Sequence, residues 1–483
     1  MREEGVMTGT TCIRNIAWLI AWDPREARHV FRRDVDLAFA DDRIAFIGKG
    51  YTGATAVEID GRGLMVCPGL VDIHCHGAGQ IHYKGVREDL SNPNFFGSAL
   101  YDFTTRFLPD EAGHKAGLNF ALGELLLSGT TSVVHIAHPV EGWMDRLAAS
   151  GIRAWVGPYV SCARWRTDGP KLVFDWDEAG GRASLDRAQT LIREAERHPS
   201  GRLGGIMAPA EIDTVSEEVL RDSAAVAREA GWHFQVHCSE SINQVREIQG
   251  RHGMTPVQWA WKIGILGPGT GLGHAIFLDH HSKTHWPTRT DLSILAETET
   301  SVAHCPTVFS RYGQTLQDFG RYRRAGITLG IGTDTLPHNM LEEMRTAIVA
   351  GRIASGYAES VYPADVLEAA TVGGAKMLGR DDIGRLATGA KADLFTVDLS
   401  HPSMRPLRDP LRSLIYTAAE RPVRDVYVDG RKVVSAGRLT TIDMAEAAAE
   451  IEAAQARMEA AVPGLDPEGR SAAELAPYSL PMA

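Results

Sequence analysis

Two histidines one residue apart, in Asp72-Ile73-His74-Cys75-His76, close an apolar run that begins at Pro68. On a β-strand, residues i and i+2 share a face, so both imidazoles leave the strand's end together. Three further donors close or sit in later apolar runs. His237 follows Phe234-Gln235-Val236, His274 lies in Leu272-Gly273-His274-Ala275, and Asp334 follows Gly330-Ile331-Gly332-Thr333. A lone HxH is common by chance; the set of five is what carries the argument. Imidazole and carboxylate donors without a thiolate set suit zinc or a similar borderline divalent ion. With one position open, such a site activates water for hydrolysis. A non-catalytic barrel holding a structural ion would require a closed ligand sphere, which a mixed His/Asp set gathered at one mouth disfavours.

These donors need a frame that brings distant strand ends together. From Val66 to about residue 380, short apolar runs alternate with helical stretches such as Ser216–Ala230 and Met340–Gly351. After the run into His74 come Thr131–His135, Ala154–Tyr159, Gly204–Met207, Phe234–His237, Gly273–Phe277, Ser301–His304 and Thr328–Gly332. Eight strand candidates in β–α order predict an α/β fold with a parallel barrel, whose chemistry sits at the strands' C-terminal ends. Both chain ends are β-rich instead: Ile13–Trp22, Asp34–Ala40 and Arg43–Gly48, then Ala392–Val397, Val423–Val428 and Arg431–Val434. Asp429-Gly430 between the last two is a hairpin signal. The expected division is 1–67 and 381–440 as the two parts of one small β-unit, 68–380 as the barrel, and 441–483 as a helix and tail. The helix is expected over 444–461, capped by Asp443, with the remaining residues a frayed tail or an arm onto a neighbouring subunit.

The 483 residues carry 50 Lys plus Arg against 61 Asp plus Glu, a net charge of −11, which argues against a nucleic-acid partner. No run approaches the ~20 apolar residues of a membrane span. Six scattered cysteines without a CxxC pair exclude a disulfide framework and a cysteine-rich zinc module. The opening Met1-Arg2-Glu3-Glu4-Gly5 lacks the pattern of a secretory signal. A cytoplasmic enzyme acting on a small molecule, and forming a homo-oligomer, is the expectation.

Pro68-Gly69-Leu70-Val71-Asp72-Ile73-His74-Cys75-His76 resembles the entry motif of the amidohydrolase superfamily. The resemblance continues through Ser128-Gly129-Thr130-Thr131, His237-Cys238-Ser239-Glu240, His304-Cys305-Pro306-Thr307, Gly332-Thr333-Asp334 and the stretch from Asp382 to Leu394. It implies a distorted (β/α)8 TIM barrel with a composite β-sandwich, and hydrolysis driven by water. The branch resembled is the mononuclear-metal deaminase and chlorohydrolase group, since no lysine occupies the fourth strand run, Gly204–Pro209. By that resemblance His74, His76, His237 and Asp334 hold one divalent ion, Zn2+ first, with Co2+, Mn2+ or Fe2+ as substitutes. His274 would hydrogen-bond the nucleophilic water or the substrate, or stand as a distant fifth ligand. Asp334 would act as general base, and Glu240 would carry the proton to the leaving nitrogen if burial raises its pKa.

Three motifs depart from the deaminases. Pro209 is followed by Ala210-Glu211 instead of histidine; the strand-seven motif reads Cys305-Pro306-Thr307-Val308-Phe309-Ser310; and Asp334 is followed by Thr335-Leu336-Pro337-His338-Asn339-Met340. The last two are similar to the sub-branch of phenylurea and molinate (thiocarbamate) hydrolases, enzymes of xenobiotic degradation. Aromatics fall in the loops expected at the mouth: Phe95, Phe96, Tyr101, Phe103, Phe107, Trp165, Trp259, Trp261 and Trp286. Lost base-reading groups and gained rings imply an apolar vestibule, with His304, Phe309, His338 and Trp286 touching substrate. The expected reaction is cleavage of a non-peptide C–N bond in an amide, urea or (thio)carbamate with an apolar substituent. The alternative is a deaminase or dechlorinase of an aminated or chlorinated heterocycle, of triazine, purine or pyrimidine type.

Overall fold

In the computed structural model, which describes residues 9–482, eight parallel strands form one sheet wound into a nearly closed barrel. They are β1 (Leu70–Cys75), β2 (Thr130–Ala137), β3 (Arg153–Val160), β4 (Leu203–Pro209), β5 (His233–Cys238), β6 (Thr270–His274), β7 (Ser301–His304) and β8 (Leu329–Ile331). Each pairs with its sequence neighbour. Closure is made past the end of β8, where Asp334 N donates to His74 O at 2.8 Å and His76 N to Asp334 O at 2.7 Å. Gly332 permits that approach: a Cβ there would lie 2.7 Å from both Cβ and O of His74. The strands are buried on both faces, which is why they read as apolar runs and not as alternating ones.

The sixth strand lies three residues before its expected place, at Thr270–His274. The run Leu272–Leu278 is apolar except for His274, so hydrophobicity alone cannot mark where pairing stops. The backbone does: His274 (φ 77°) and Ala275 (φ 45°) turn out of the sheet, and Ile276 and Phe277 donate their N–H groups to Ser239 O. A hairpin absent from the sequence reading, Ala163–Asp168 with Lys171–Trp176, follows β3. Its turn signal, Gly169-Pro170, is present in the chain.

The first part of the chain forms one further sheet by itself and shares a second with the chain's end. One orders strands Arg43–Gly48, Val35–Ala40, Thr11–Ile16 and Val57–Asp60; the other has seven strands, including Leu64–Pro68 from the first part and Leu394–Asp398 from the second. Those two pair antiparallel, Phe395 opposite Cys67. Ile13, Leu37, Phe39, Val66, Leu394 and Tyr427 fill the space between the sheets. Asp429 (φ 49°) and Gly430 (φ 71°) make the expected hairpin turn, both in the left-handed region that such turns demand. The C-terminal helix runs over Met444–Leu465, with Asp443 Oδ1 accepting from Ala445 and Glu446 N–H. Its Ile451, Met458 and Val462 pack on Ile81, Tyr83, Phe103 and Phe107 of the segment after β1. Arg106 and Asp466 are both buried and joined at 2.8 Å, so the chain's end braces that segment over the barrel mouth.

Barrel and sandwich meet through a buried charge cluster. Arg153, at the start of β3, reaches Asp393 at 3.1 Å and also Asp429. Removing one member of a buried ion cluster leaves the other charges unpaired, at a cost of about 3–5 kcal/mol. Arg153→Met should therefore lose about 3–5 kcal/mol in urea unfolding, with no change in metal stoichiometry of the folded fraction. A loss under about 1 kcal/mol would mean water already compensates these charges.

Candidate metal centre and its acid cluster

The strand ends deliver three imidazoles to one point. The Nε2 atoms of His74, His76 and His237 lie 3.1 Å from one another, all three pairs. Each ring's other nitrogen faces a fixed oxygen: His74 Nδ1 meets Gln235 Oε1 at 2.5 Å, His76 Nδ1 meets Ile136 O at 2.9 Å, and His237 Nδ1 meets Ala210 O. Those oxygens accept, so the ring protons reside on Nδ1 and the three Nε2 atoms face each other as lone pairs. Burial reinforces this by holding His74 down to about 3 and His237 to about 4, with His76 and His274 well below the usual range. Three acceptors cannot satisfy one another. A cation between them can, and donors ~2.0–2.1 Å from a tetrahedral centre stand ~3.3 Å apart, close to the spacing observed.

Asp334 completes the set, with Oδ1 3.6 Å from His76 Nε2 and Oδ2 3.9 Å from His274 Nε2. His74, His76 and Asp334 offer ligand atoms within 4.8 Å of one another, as do His74, His237 and His274. Both ring nitrogens of buried His274 lack a protein partner. His274 and Asp334 (φ 58°) occupy the left-handed backbone region, as does Ser239 (φ 56°) beside Glu240. Non-glycine residues there hold strain of about 1–3 kcal/mol each, a state that clusters at functional sites.

Three supporting residues escaped the sequence reading. Gln235 precedes His237 by two, so it shares its strand face; its amide also donates to Ile73 O at 3.2 Å, which fixes Oε1 toward His74. Asp72 takes His74 N at 3.0 Å, Thr333 N at 3.2 Å and Thr333 Oγ1 at 2.6 Å, tying β1 to the loop that carries Asp334. Glu211, noticed only as a departure from a motif, lies 3.4 Å from His237 Nδ1 and is linked to Glu240 through Gln244. Gln244 spans the pair, donating to Glu211 Oε2 at 2.9 Å and accepting from Glu240 N at 3.1 Å. A strand-period count from His237 would have found Gln235. Only the fold brings Glu211 to Glu240.

Burial raises the carboxyls of the acid cluster. Burial, then the Asp334 charge, raises Glu240; burial, then Glu240, raises Glu211 well above the carboxylate range. Burial lifts Asp334 to about 7 against the pull of Arg87 and Arg311. Asp213, also at about 7 through burial, has both carboxyl oxygens unpartnered.

Of the residues expected to touch substrate, Phe309 is beside the cluster, its ring 4.6 Å from that of His274 and edge-on. His304 is buried with its ring 5.8 Å from Phe319. His338 is packed against the helix after β1, where a Cβ on Gly77 would meet its Nε2 at 2.9 Å. Trp286 has neither a hydrogen bond nor a ring contact to the cluster; its carbonyl accepts from Arg289. The apolar vestibule is likewise only partial. Phe95, Tyr101 and Trp165 form an edge-on stack, and Tyr101 Oη bonds Ser241 Oγ next to Glu240. Phe103 and Phe107 instead pack under the C-terminal helix, Trp259 stacks on His252, and Trp261 is 58% exposed. Ring position in the chain does not determine which side of a loop faces the mouth.

The Amidohydrolase family is matched over residues 65–433. A 5-methylthioadenosine/S-adenosylhomocysteine deaminase of Halobacterium salinarum is 30% identical over 432 residues, 89% of this chain and 94% of that protein. Two solved structures share the fold. An adenosine deaminase from Xanthomonas campestris with bound zinc (TM-score 0.79, 23% identity) covers 93% of this chain, and 98% of its own length is matched. A mutant of atrazine chlorohydrolase from Arthrobacter aurescens with zinc and atraton (TM-score 0.77, 23% identity) covers 92%, with 100% of its own length matched. No helix among the described residues is long and apolar enough to cross a membrane.

Gln235 gives a test of the imidazole geometry. Gln235→Leu removes the acceptor that fixes His74, and loss of such a supporting bond weakens metal affinity by roughly 10- to 100-fold. Competition with a chelator of known affinity should register that loss, with the thermal unfolding of the metal-free protein little changed. Unaltered affinity would mean His74 is oriented by packing alone.

Proposed function

The chain belongs to the amidohydrolase family, and from that premise we propose that it is a hydrolytic deaminase of an aminated heterocycle of purine type. His74, His76, His237 and Asp334 would hold one divalent ion, with zinc the natural choice for nitrogen and oxygen donors. When bound, the ion supplies Lewis acidity that brings the ionisation of water toward neutral pH. The other steps fall to the chain. Asp334, beside His274, accepts the proton of the attacking water. His274, with two free ring nitrogens, orients that water or the ring atom next to the reacting carbon.

The observation that carries the reading is the Glu211–Glu240 pair. Replacing an exocyclic amine on an aromatic ring by water requires two proton deliveries, one to the ring nitrogen as water adds and one to the departing ammonia. The overall balance is ring–NH2 plus H2O giving a ring carbonyl with N–H, and NH3. Two adjoining buried carboxyls, both shifted toward the acid form, can meet that demand. A urea or carbamate needs only the second delivery. The pair also returns polarity to a mouth expected to be apolar, because Glu211 and Gln244 offer a polar ring the donors and acceptors it needs. The named activities of the relatives, removal of an amine from adenosine and its 5′-thio derivatives, support the same choice.

Ammonia release from adenosine, 5′-methylthioadenosine, aminotriazines and N-aryl ureas, with and without chelation, tests this. Aminated heterocycles should be turned over and the activity should disappear with the metal. Glu240→Gln should lower kcat by roughly two to four powers of ten, the size of general acid–base catalysis, with metal content unchanged. N-aryl ureas cleaved faster than every aminated ring would overturn the proposal.

A further inference from the structure

The Asp334 carboxylate turns its two oxygens to different neighbours. Oδ1 is 3.6 Å from His76 Nε2 and faces the three imidazoles, while Oδ2 is 3.9 Å from His274 Nε2. A third donor joins on that second side. His274, Cys305 and Asp334 offer ligand atoms that all lie within 4.8 Å of one another. The other five cysteines belong to no such group among the described residues. Cys305 is the first residue past β7, ahead of the helix Pro306–Ser310; its thiol is free, buried and makes no capping bond to that helix. His274 is 1% exposed, and neither of its ring nitrogens has a protein partner. Phe309 of the same helix lies edge-on against that ring at 4.6 Å, so one short segment supplies both the thiol and a wall for the imidazole.

The first ion does not need these groups. Three imidazoles and Oδ1 already make four donors, the number zinc takes. Oδ2, His274 and the Cys305 sulfur remain as a separate three-donor set with a position open. A buried imidazole without partners is costly, so its nitrogens call for a ligand. Nitrogen, oxygen and sulfur together suit Zn2+, Co2+ or Cd2+ and not Mg2+ or Ca2+. Donors around a tetrahedral zinc stand ~3.3–3.6 Å apart when one of them is sulfur at ~2.3 Å. Side-chain rotation draws the three groups to that spacing.

We propose that His274, Cys305 and Asp334 Oδ2 form a second position for a divalent ion of the zinc type, filled when metal exceeds one equivalent. On entry the thiol gives its proton to solvent and its sulfur bonds the ion; nothing is oxidised or reduced. Asp334 then shares one negative charge between two cations, so the second binds more weakly than the first. It withdraws His274 and one Asp334 oxygen from the water they would handle, so excess metal inhibits. The position itself stands on the geometry; the inhibition rests on the deaminase reading.

Titration of the metal-free protein with Co2+ under argon tests this. The first equivalent should bind without a sulfur-to-cobalt charge-transfer band in the near ultraviolet, and the second should bring the band. Uptake at saturation should be about two ions per chain in the wild type and about one in Cys305→Ala and in His274→Ala, both without the band. Cys305→Ser, closer in size, should also lose the band, and it serves where the alanine variant fails to fold. A band on the first equivalent would put the thiol on the first ion and overturn the second position. So would saturation of the wild type at one equivalent, or a band that survives in Cys305→Ala. In ammonia release, filling the second position should lower turnover by roughly two powers of ten in the wild type and not in Cys305→Ala. Full turnover with both ions bound would overturn the inhibition. Absence of ammonia release from every heterocycle would remove the deaminase reading, and the cobalt counts would still decide the position.

Discussion

Three imidazole lone pairs aimed at one point inside a protein are mutually repulsive, and much of the barrel's upper rim exists to keep them there. The ring protons must stay on Nδ1, so each histidine is given an oxygen on its outer side: the side-chain amide of Gln235, and the carbonyls of Ile136 and Ala210. Burial then keeps the rings neutral, since an imidazolium in that place would lose its hydration and face two neighbours. His76 is further held between Tyr159 and His237, near-parallel rings at 5.8 and 5.2 Å. This arrangement is preorganised for a cation in the sense that its reorganisation has been completed in folding.

The same desolvation that keeps the histidines neutral raises the carboxyls around them. Asp334, Glu240 and Glu211 crowd together where water cannot screen them, so protons or cations must balance their charge. The fold distributes the task between the metal position, the protons the two glutamates keep on either side of Gln244, and the Arg87 and Arg311 charges. The covering segment that carries Arg87 would have little to keep it in place by itself. Its apolar residues Ile81, Tyr83, Phe103 and Phe107 are covered by the C-terminal helix, which links the far end of the chain to the electrostatics of the site.

The sequence revealed the frame and the donors more clearly than their neighbours. Buried parallel strands are continuous apolar runs, and donors at their ends mark the mouth, so His74, His76, His237, His274 and Asp334 could be found together. The Asp429-Gly430 turn and the Asp443 cap are local chemistry and were equally readable. What depends on contact between distant strands was not. The end of β6 was hidden in an apolar run that continues after pairing stops, and Glu211 meets Glu240 only because β4 lies beside β5. The aromatic loops divided by which face of each loop turned inward, which composition does not encode.

That division bears on how substrate preference evolves on such a frame. The metal-facing residues are fixed by strand ends that cannot move without opening the barrel at the Asp334–His74 closure. Glu211 lies just past the end of β4, 3.4 Å from His237 Nδ1, so a change of residue there alters both the bonding of Gln244 and the surroundings of one imidazole. The absence of a histidine after Pro209 does not leave this side of the site apolar, because Glu211 brings a carboxyl beside His237 and Gln244. At this strand end, where Glu211 still bridges to His237, the chain places a carboxyl that can carry a proton. The barrel's closure thus fixes the imidazoles and Asp334, while Glu211, still paired with His237 past the end of β4, and Gln244 supply the polar groups beside them.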